Sequence, residues 1–217
     1  MKRLVTCVVL GLLAACSNNS INPQLYSRDI LVDLYHGSID PISKSAIESC
    51  GIQIHTTDAP ITDKTLAAVG AVWITSNATR DFEPSEIKSI QKFIRSGGTA
   101  IGSGQAWAWA YDKKEVSKYP LNQLGKTVGF LITGQNAGKP VNKESSPYLM
   151  GVDSVSQTDW WPSRVQSEVN GFVPLIRDEN MRTIAIYFPL GRGRVFVFGH
   201  ESLLKDNPQI TVNILQL

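Results

Sequence analysis

Apolar positions along this chain alternate between short continuous runs and longer stretches at helical spacing, beginning at Ile30. Ile30 to Tyr35, Ile-Leu-Val-Asp-Leu-Tyr, is mostly apolar and predicts a strand buried on both faces. Ile42 to Cys50 follows as a short helix stopped at Gly51, and Ile52 to Thr56 as a second strand. The pair recurs as a helix over Thr62 to Val69, closed by Gly70, and a strand over Ala71 to Thr75. The clearest helix opens at Pro84, with Glu83 and Glu86 near the positive end of its dipole. Ile87, Ile90, Phe93 and Ile94 share its inward face, and Gly97-Gly98 ends it. Thr99 to Gly102 is a short fourth strand, and Gly104 or Gln105 opens a helix carrying Trp107 and Trp109. Helical spacing puts Trp107, Ala110 and Tyr111 on one side and Trp109 elsewhere, with core packing as the plain reading of these aromatics and ligand binding by Trp107 and Trp109 as the alternative. Helices alternating with strands at crossover spacing predict a parallel sheet.

The pattern loosens after Tyr119. Val128 to Thr133 fits a strand, but residues 134–170 are rich in Asn, Ser, Gly and Pro and read as a long excursion. A structureless loop of that length is unusual in a compact domain, so part of it is expected to be ordered or functional. Within it, Asp159-Trp160-Trp161-Pro162 is the best candidate for exposed aromatics, serving to stack on a sugar ring, to bind a partner, or to pin the loop itself. Thr183 to Pro189 and Arg194 to Phe198, joined through Gly191-Arg192-Gly193, predict a hairpin because the connection is too short for a parallel crossover. Pro208 opens a last helix, with Asn207 as cap and Ile210, Ile214 and Leu217 inward. The fold class expected is α/β and flavodoxin-like, a mostly parallel sheet flanked by helices with an antiparallel hairpin near the C-terminus.

The N-terminus follows a different pattern. Met1-Lys2-Arg3 is basic, Leu4 to Leu13 is apolar, and Leu13-Ala14-Ala15-Cys16 ends the run. The apolar run is too short to span a bilayer comfortably. Its ending resembles the lipobox of bacterial lipoproteins, which implies cleavage before Cys16 and lipidation of that cysteine. Residues 1–15 then form a signal peptide, 16–28 a polar tether, and 29–217 a single domain. Acyl chains contribute roughly 0.8 kcal/mol per buried methylene, so several on one cysteine anchor a domain stably. Ser17, where an inner-membrane retention signal has aspartate, implies the outer membrane.

Removing residues 1–15 takes Lys2 and Arg3 from 21 basic side chains and leaves 19, against 19 acidic ones. A neutral surface without a basic block argues against nucleic-acid partners. Cys7 leaves with the signal peptide and Cys16 with the lipid, so Cys50 stands alone and reads as a buried small hydrophobe. His36, His55 and His200 are the only histidines, and none is spaced as a ligand pair, so neither metal nor cofactor is expected.

Four segments then carry a resemblance. They are Phe82-Glu83-Pro84-Ser85-Glu86-Ile87, Phe93-Ile94-Arg95-Ser96-Gly97-Gly98, Ile101-Gly102-Ser103-Gly104-Gln105-Ala106-Trp107, and Gly193 to Glu201. Together they resemble class I glutamine amidotransferase-like domains. Within that group the chain looks most like the accessory domain preceding the catalytic domain in enhancin- and mucinase-type metallopeptidases and in TRP-channel-associated factors, where a motif like Tyr119-Pro120-Leu121-Asn122 also recurs. The resemblance implies an elbow after the fourth strand where active members carry a cysteine between two glycines, helped by His and Glu two residues apart. Aligning Gly102 with the first glycine puts Gly104 in the cysteine's place, with Gln105 after it, and no nucleophile remains. His200 and Glu201 lie where the other triad members would, but are adjacent, and on a strand end they would point apart. A register slipped by one makes Ser103 the nucleophile and His200 its base. The plain alternative has Ser103 capping the tryptophan helix and His200 bonded to a neighbouring loop, and a third has the N–H groups of Ser103 to Gln105 holding an anion. The zinc motif of the metallopeptidase domain is absent.

The function expected is a lipid-anchored envelope lipoprotein with a catalytically silent domain, acting as a binding or accessory module toward an envelope protein or glycan. Two alternatives stand beside it. One is a serine-dependent hydrolase acting on an envelope glycan, peptide or ester, and the other a carbohydrate-binding module through Trp160 and Trp161.

Overall fold

A computed structural model describes residues 28–76, 80–112, 114–157 and 161–217. The expected signal peptide, Cys16, nearly all of the tether and Trp160 lie outside the described residues. Among them, β1 (Ile30–Asp33), β2 (Ile54–Thr57), β3 (Ala71–Ser76) and β4 (Thr99–Gly104) pair in parallel in the order β2-β1-β3-β4. The helices α1 (Pro41–Ser49), α2 (Asp63–Leu66) and α3 (Pro84–Arg95) supply the crossovers between them. Each starts on a local device legible in the sequence. The Asp40 carboxylate accepts the Ser43 N–H at 2.9 Å ahead of Pro41, and Glu86 reaches back to accept the Glu83 N–H at 2.9 Å ahead of Pro84.

Beyond β4, the short α4 (Ala106–Tyr111) leads into α5 (Pro120–Val128), an unexpected helix that takes in Val128 from the strand expected at Val128 to Thr133. That strand is β5 (Phe130–Asn136). The excursion at 134–170 is not a structureless loop. It contains β6 (Pro140–Lys143) and β7 (Ser163–Ser167), and β7 pairs antiparallel with β5 in a separate small sheet. The strand β8 (Val173–Asp178), also unexpected, and β9 (Thr183–Leu190) follow. The strand β10 (Gly193–Phe198) then inserts parallel to β4 and antiparallel to β9, which confirms the hairpin. The main sheet reads β2-β1-β3-β4-β10-β9-β8-β6, so its antiparallel part includes β8 and β6 as well as the expected hairpin. Two helices close the chain, α6 (Ser202–Lys205) and α7 (Pro208–Gln216).

Alternation along the strands divides the core between two faces. Leu31, Val72, Ile74, Ala100, Val195 and Val197 face α2, α3 and α5, together with the small sheet. Ile30, Val32, Ala71, Trp73, Ile101, Phe196 and Phe198 face α1, α6 and α7. Three expectations about side chains fail. Cys50 is exposed, as the C-cap residue just beyond the last turn of α1. Leu217 is 56% exposed, beyond the last turn of α7. Asn207 makes no side-chain cap and uses its amide to donate to the Ser156 and Leu203 carbonyls, at 2.8 Å each.

Candidate functional site

In a parallel sheet the carboxyl ends of the strands are where ligands usually bind, and the order β2-β1-β3 places the reversal of direction between β1 and β3. There the chain fills its own crevice. Ser38, in the loop after β1, donates its N–H to Thr75 Oγ1 at 2.8 Å, and that hydroxyl donates to the Ser38 carbonyl at 2.5 Å. Gly37 approaches the Thr75 carbonyl so closely that a Cβ would overlap it. Behind this plug lies a buried polar cluster that sequence spacing gave no reason to assemble. His36 Nδ1 meets Asp33 Oδ2 at 2.8 Å, and His36 Nε2 lies 3.6 Å from Glu86 Oε2, all three side chains being fully buried. Phe82 stacks on the imidazole with ring centroids 3.9 Å apart. Burial works against the imidazolium, but the Asp33 hydrogen bond and the charges of Asp33 and Glu86 outweigh it and raise the His36 pKa above its ordinary value.

The elbow follows β4, which runs two residues further than expected and takes in Ser103 and Gly104. Ser103 is completely buried, and its Oγ accepts the Trp73 indole N–H at 3.3 Å. Gly104 lies against the Tyr119 hydroxyl. A Cβ at Gly104 would overlap that oxygen, and Tyr119 is itself buried. Gly102 packs on Leu121, and Gln105 is the N-cap residue of α4 without a side-chain cap bond. Ser103 does not cap the tryptophan helix. Ser163 of β7 does so from outside, its Oγ accepting the Trp107 N–H at 3.0 Å, so that donor is already occupied. His200 lies past the end of β10, where its Nδ1 accepts the Ser202 N–H at 2.9 Å and lies 2.8 Å from the Ser202 hydroxyl. His200 and Glu201 do not point apart, since Glu201 Oε2 comes within 3.7 Å of His200 Nδ1. The expectation assumed a strand end, and the chain there has already turned toward α6.

The aromatics sort differently from their helical spacing. Trp109 packs against the core and donates its indole N–H to the Glu115 carbonyl at 3.0 Å, whereas Tyr111 is 83% exposed. Trp107 donates its indole N–H to the Trp161 carbonyl at 2.6 Å, which brings the two tryptophan segments together. Trp161 is 43% exposed. Beside them opens a pocket of about 440 Å³, lined by Trp107, Tyr111, Gln135, Asn136, Arg164 and Arg182 among others. A larger pocket, about 530 Å³, lies between α5 and the β5–β7 sheet, and its lining includes no elbow residue. Arg182 is set by the turn after β8. Asp178, fully buried there, accepts N–H groups from Gly138, Asn180 and Arg182 at 2.6, 2.9 and 2.8 Å, and also binds the Arg182 guanidinium. Burial opposes the charge of Asp178, but these donors prevail and hold its pKa below the usual value.

Comparison with known proteins adds to this geometry. Residues 64–147 match a family described as "TRPM8, N-terminal domain". TRPM8 channel-associated factor 1 from Homo sapiens is 23% identical over 193 residues, covering 77% of this chain and 20% of that protein. The chain therefore spans about a fifth of the length of this relative. The mmIFT52 N-terminal domain shares the fold with a TM-score of 0.67 at 13% identity, over 87% of this chain and 96% of that one. A putative GMP synthase component from Thermoplasma acidophilum shares it with a TM-score of 0.54 at 10% identity, over 87% and 92%.

Proposed function

We propose that this chain is a lipid-anchored binding module built on an amidotransferase-like scaffold whose elbow is catalytically silent. The observation that carries this reading is the Tyr119 hydroxyl lying where a side chain at Gly104 would begin. A nucleophile needs an exposed atom on a strained turn beside open N–H donors. Here the Cβ position is filled, the neighbouring Ser103 is buried under Trp73, and the Trp107 N–H is taken by Ser163. Two further points support the scaffold. The strand order β2-β1-β3-β4-β10 fits a flavodoxin-like parallel half, and the fold is shared with the putative GMP synthase component. The anchor rests on the sequence ending at Cys16 and implies an envelope location, at the outer membrane from Ser17. Similarity to a protein named for its association with the TRPM8 channel supports a role through partners, and the proposed envelope location makes that partner an envelope protein or a glycan.

A fluorophosphonate probe, which labels activated serines, tests the elbow on the full chain in detergent. No labelling at Ser103 is expected. Labelling lost in a Ser103→Ala variant and weakened in His200→Ala would establish the hydrolase reading instead.

A further inference from the structure

Arg164 is the observation on which this inference turns. It is half-buried on β7, its Nε is inaccessible, and its side chain makes no hydrogen bond or ion pair among the described residues. A guanidinium N–H held out of water without a partner is costly, so a site that keeps one among the described residues is a site suited to an anion. The pocket Arg164 lines contains a second guanidinium, from Arg182, and no carboxylate among its lining residues. Arg182 Nε is held by buried Asp178, which fixes the position of the group and leaves its terminal nitrogens for a ligand.

The remaining walls favour a sugar over a bare anion. Trp107 and Tyr111 border the same pocket, and the indole N–H of Trp107 is already spent on the Trp161 carbonyl, so the indole offers its ring surface. Gln135 and Asn136, both exposed at the end of β5, present amides that donate to and accept from hydroxyl groups. A volume of about 440 Å³ suits one or two pyranose rings. We infer that this pocket binds a carboxylated saccharide, with the ring against Trp107 and Tyr111, hydroxyls on Gln135 and Asn136, and the carboxylate on Arg164 and Arg182. The inference deepens the binding-module reading by naming its ligand class, and rests on it.

The test uses the full chain in detergent with two probes, a short oligogalacturonate and its fully methyl-esterified form, which has the same rings without the charges. The acidic form is expected to bind roughly tenfold more tightly, the scale of one charge-assisted hydrogen bond. Arg164→Gln should abolish that preference and Arg164→Lys restore part of it. Tyr111→Ala, at an exposed position, should weaken binding of both forms with no change in thermal unfolding. Equal affinity for the two forms, no binding of either, or unchanged affinities in Arg164→Gln and Tyr111→Ala would each overturn the inference. So would equally tight binding of a glutamate oligomer, which would reduce the site to a generic anion cradle. Serine labelling at Ser103 would sink the silent-elbow reading without altering sugar affinity, so the two fail separately.

Discussion

Gly104 and His36 show how single positions are constrained by packing and by charge. Gly104→Ala forces the buried Tyr119 ring to move, and overpacking of this kind costs about 1–3 kcal/mol. Tyr119→Phe removes the oxygen in the way and leaves ring carbons at 3.1 and 3.3 Å from the new methyl group, a tight but more tolerable contact. Urea denaturation of both single variants and the double variant should therefore show that Gly104→Ala costs less in the Tyr119→Phe background. His36 gives a pH dependence whose sign follows from its raised pKa. Its contribution is complete below about 6.5, the ordinary value for histidine, and fades as pH rises through the higher folded value. The urea midpoint should fall across that interval on the alkaline side, and the fall should be smaller in His36→Gln. A midpoint unaffected by His36→Gln at every pH would show that the cluster contributes nothing.

At the level of elements, the joint between α5 and β5 is made by one amide. Asn122 donates to the Val116 and Ile132 carbonyls at 3.0 and 2.8 Å and accepts the Ile132 N–H at 2.8 Å. Asn122→Ala strands buried backbone groups on both sides, at a cost of about 3 kcal/mol. Hydrogen exchange should locate the loss as faster exchange at Ile132 than at the β3 amides. The turn that sets Arg182 behaves analogously. Because Asp178 has a lowered pKa, its stabilisation is present above the ordinary carboxylate value and is lost as pH falls through the folded one. Asp178→Asn should lower the urea midpoint at neutral pH and reduce its loss in acid. It should also weaken carboxylated-sugar binding by releasing Arg182. These joints explain why α5 was unexpected, since Asn122 and Gly125 dilute its apolar face and Asn122 belongs there for a tertiary reason. The excursion hid its strands for a related reason. Both β6 and β7 are short, and each is completed by a partner remote in sequence.

For the whole molecule, the sheet sets the scale and the proposed anchor sets a test. Among the described residues no helix is long and apolar enough to cross a membrane, and the proposed attachment through Cys16 is tested separately. In fractionated cells the wild-type chain should sediment with membranes and incorporate labelled palmitate. Cys16→Ala should lose the label and retain an unprocessed N-terminus, and a variant processed and labelled like wild type would refute the anchor. The domain itself is built around a sheet in which β10, late in sequence, inserts beside β4. That insertion brings His200 to the same end of the sheet as the elbow, while Ser163 reaches Trp107 from the excursion.

Local chemistry was sufficient for much of this. Short apolar runs marked β1, β3 and β4, the stop at Gly51 marked the end of α1, Pro84 with its acidic neighbours marked the start of α3, and the short link through Gly191-Arg192-Gly193 marked the hairpin. These features depend on neighbours within a few residues, and a single chain shows them. The glycine turn could be located in the same way, as could the fact that it contains no cysteine. Whether Gly104 had room for a side chain depended on Tyr119, and whether Arg164 had a counter-charge depended on β5, α4 and the turn after β8. Packing and charge compensation join residues far apart in sequence, so the crowding at Gly104 and the lining of the pocket beside α4 were decided only when the chain folded.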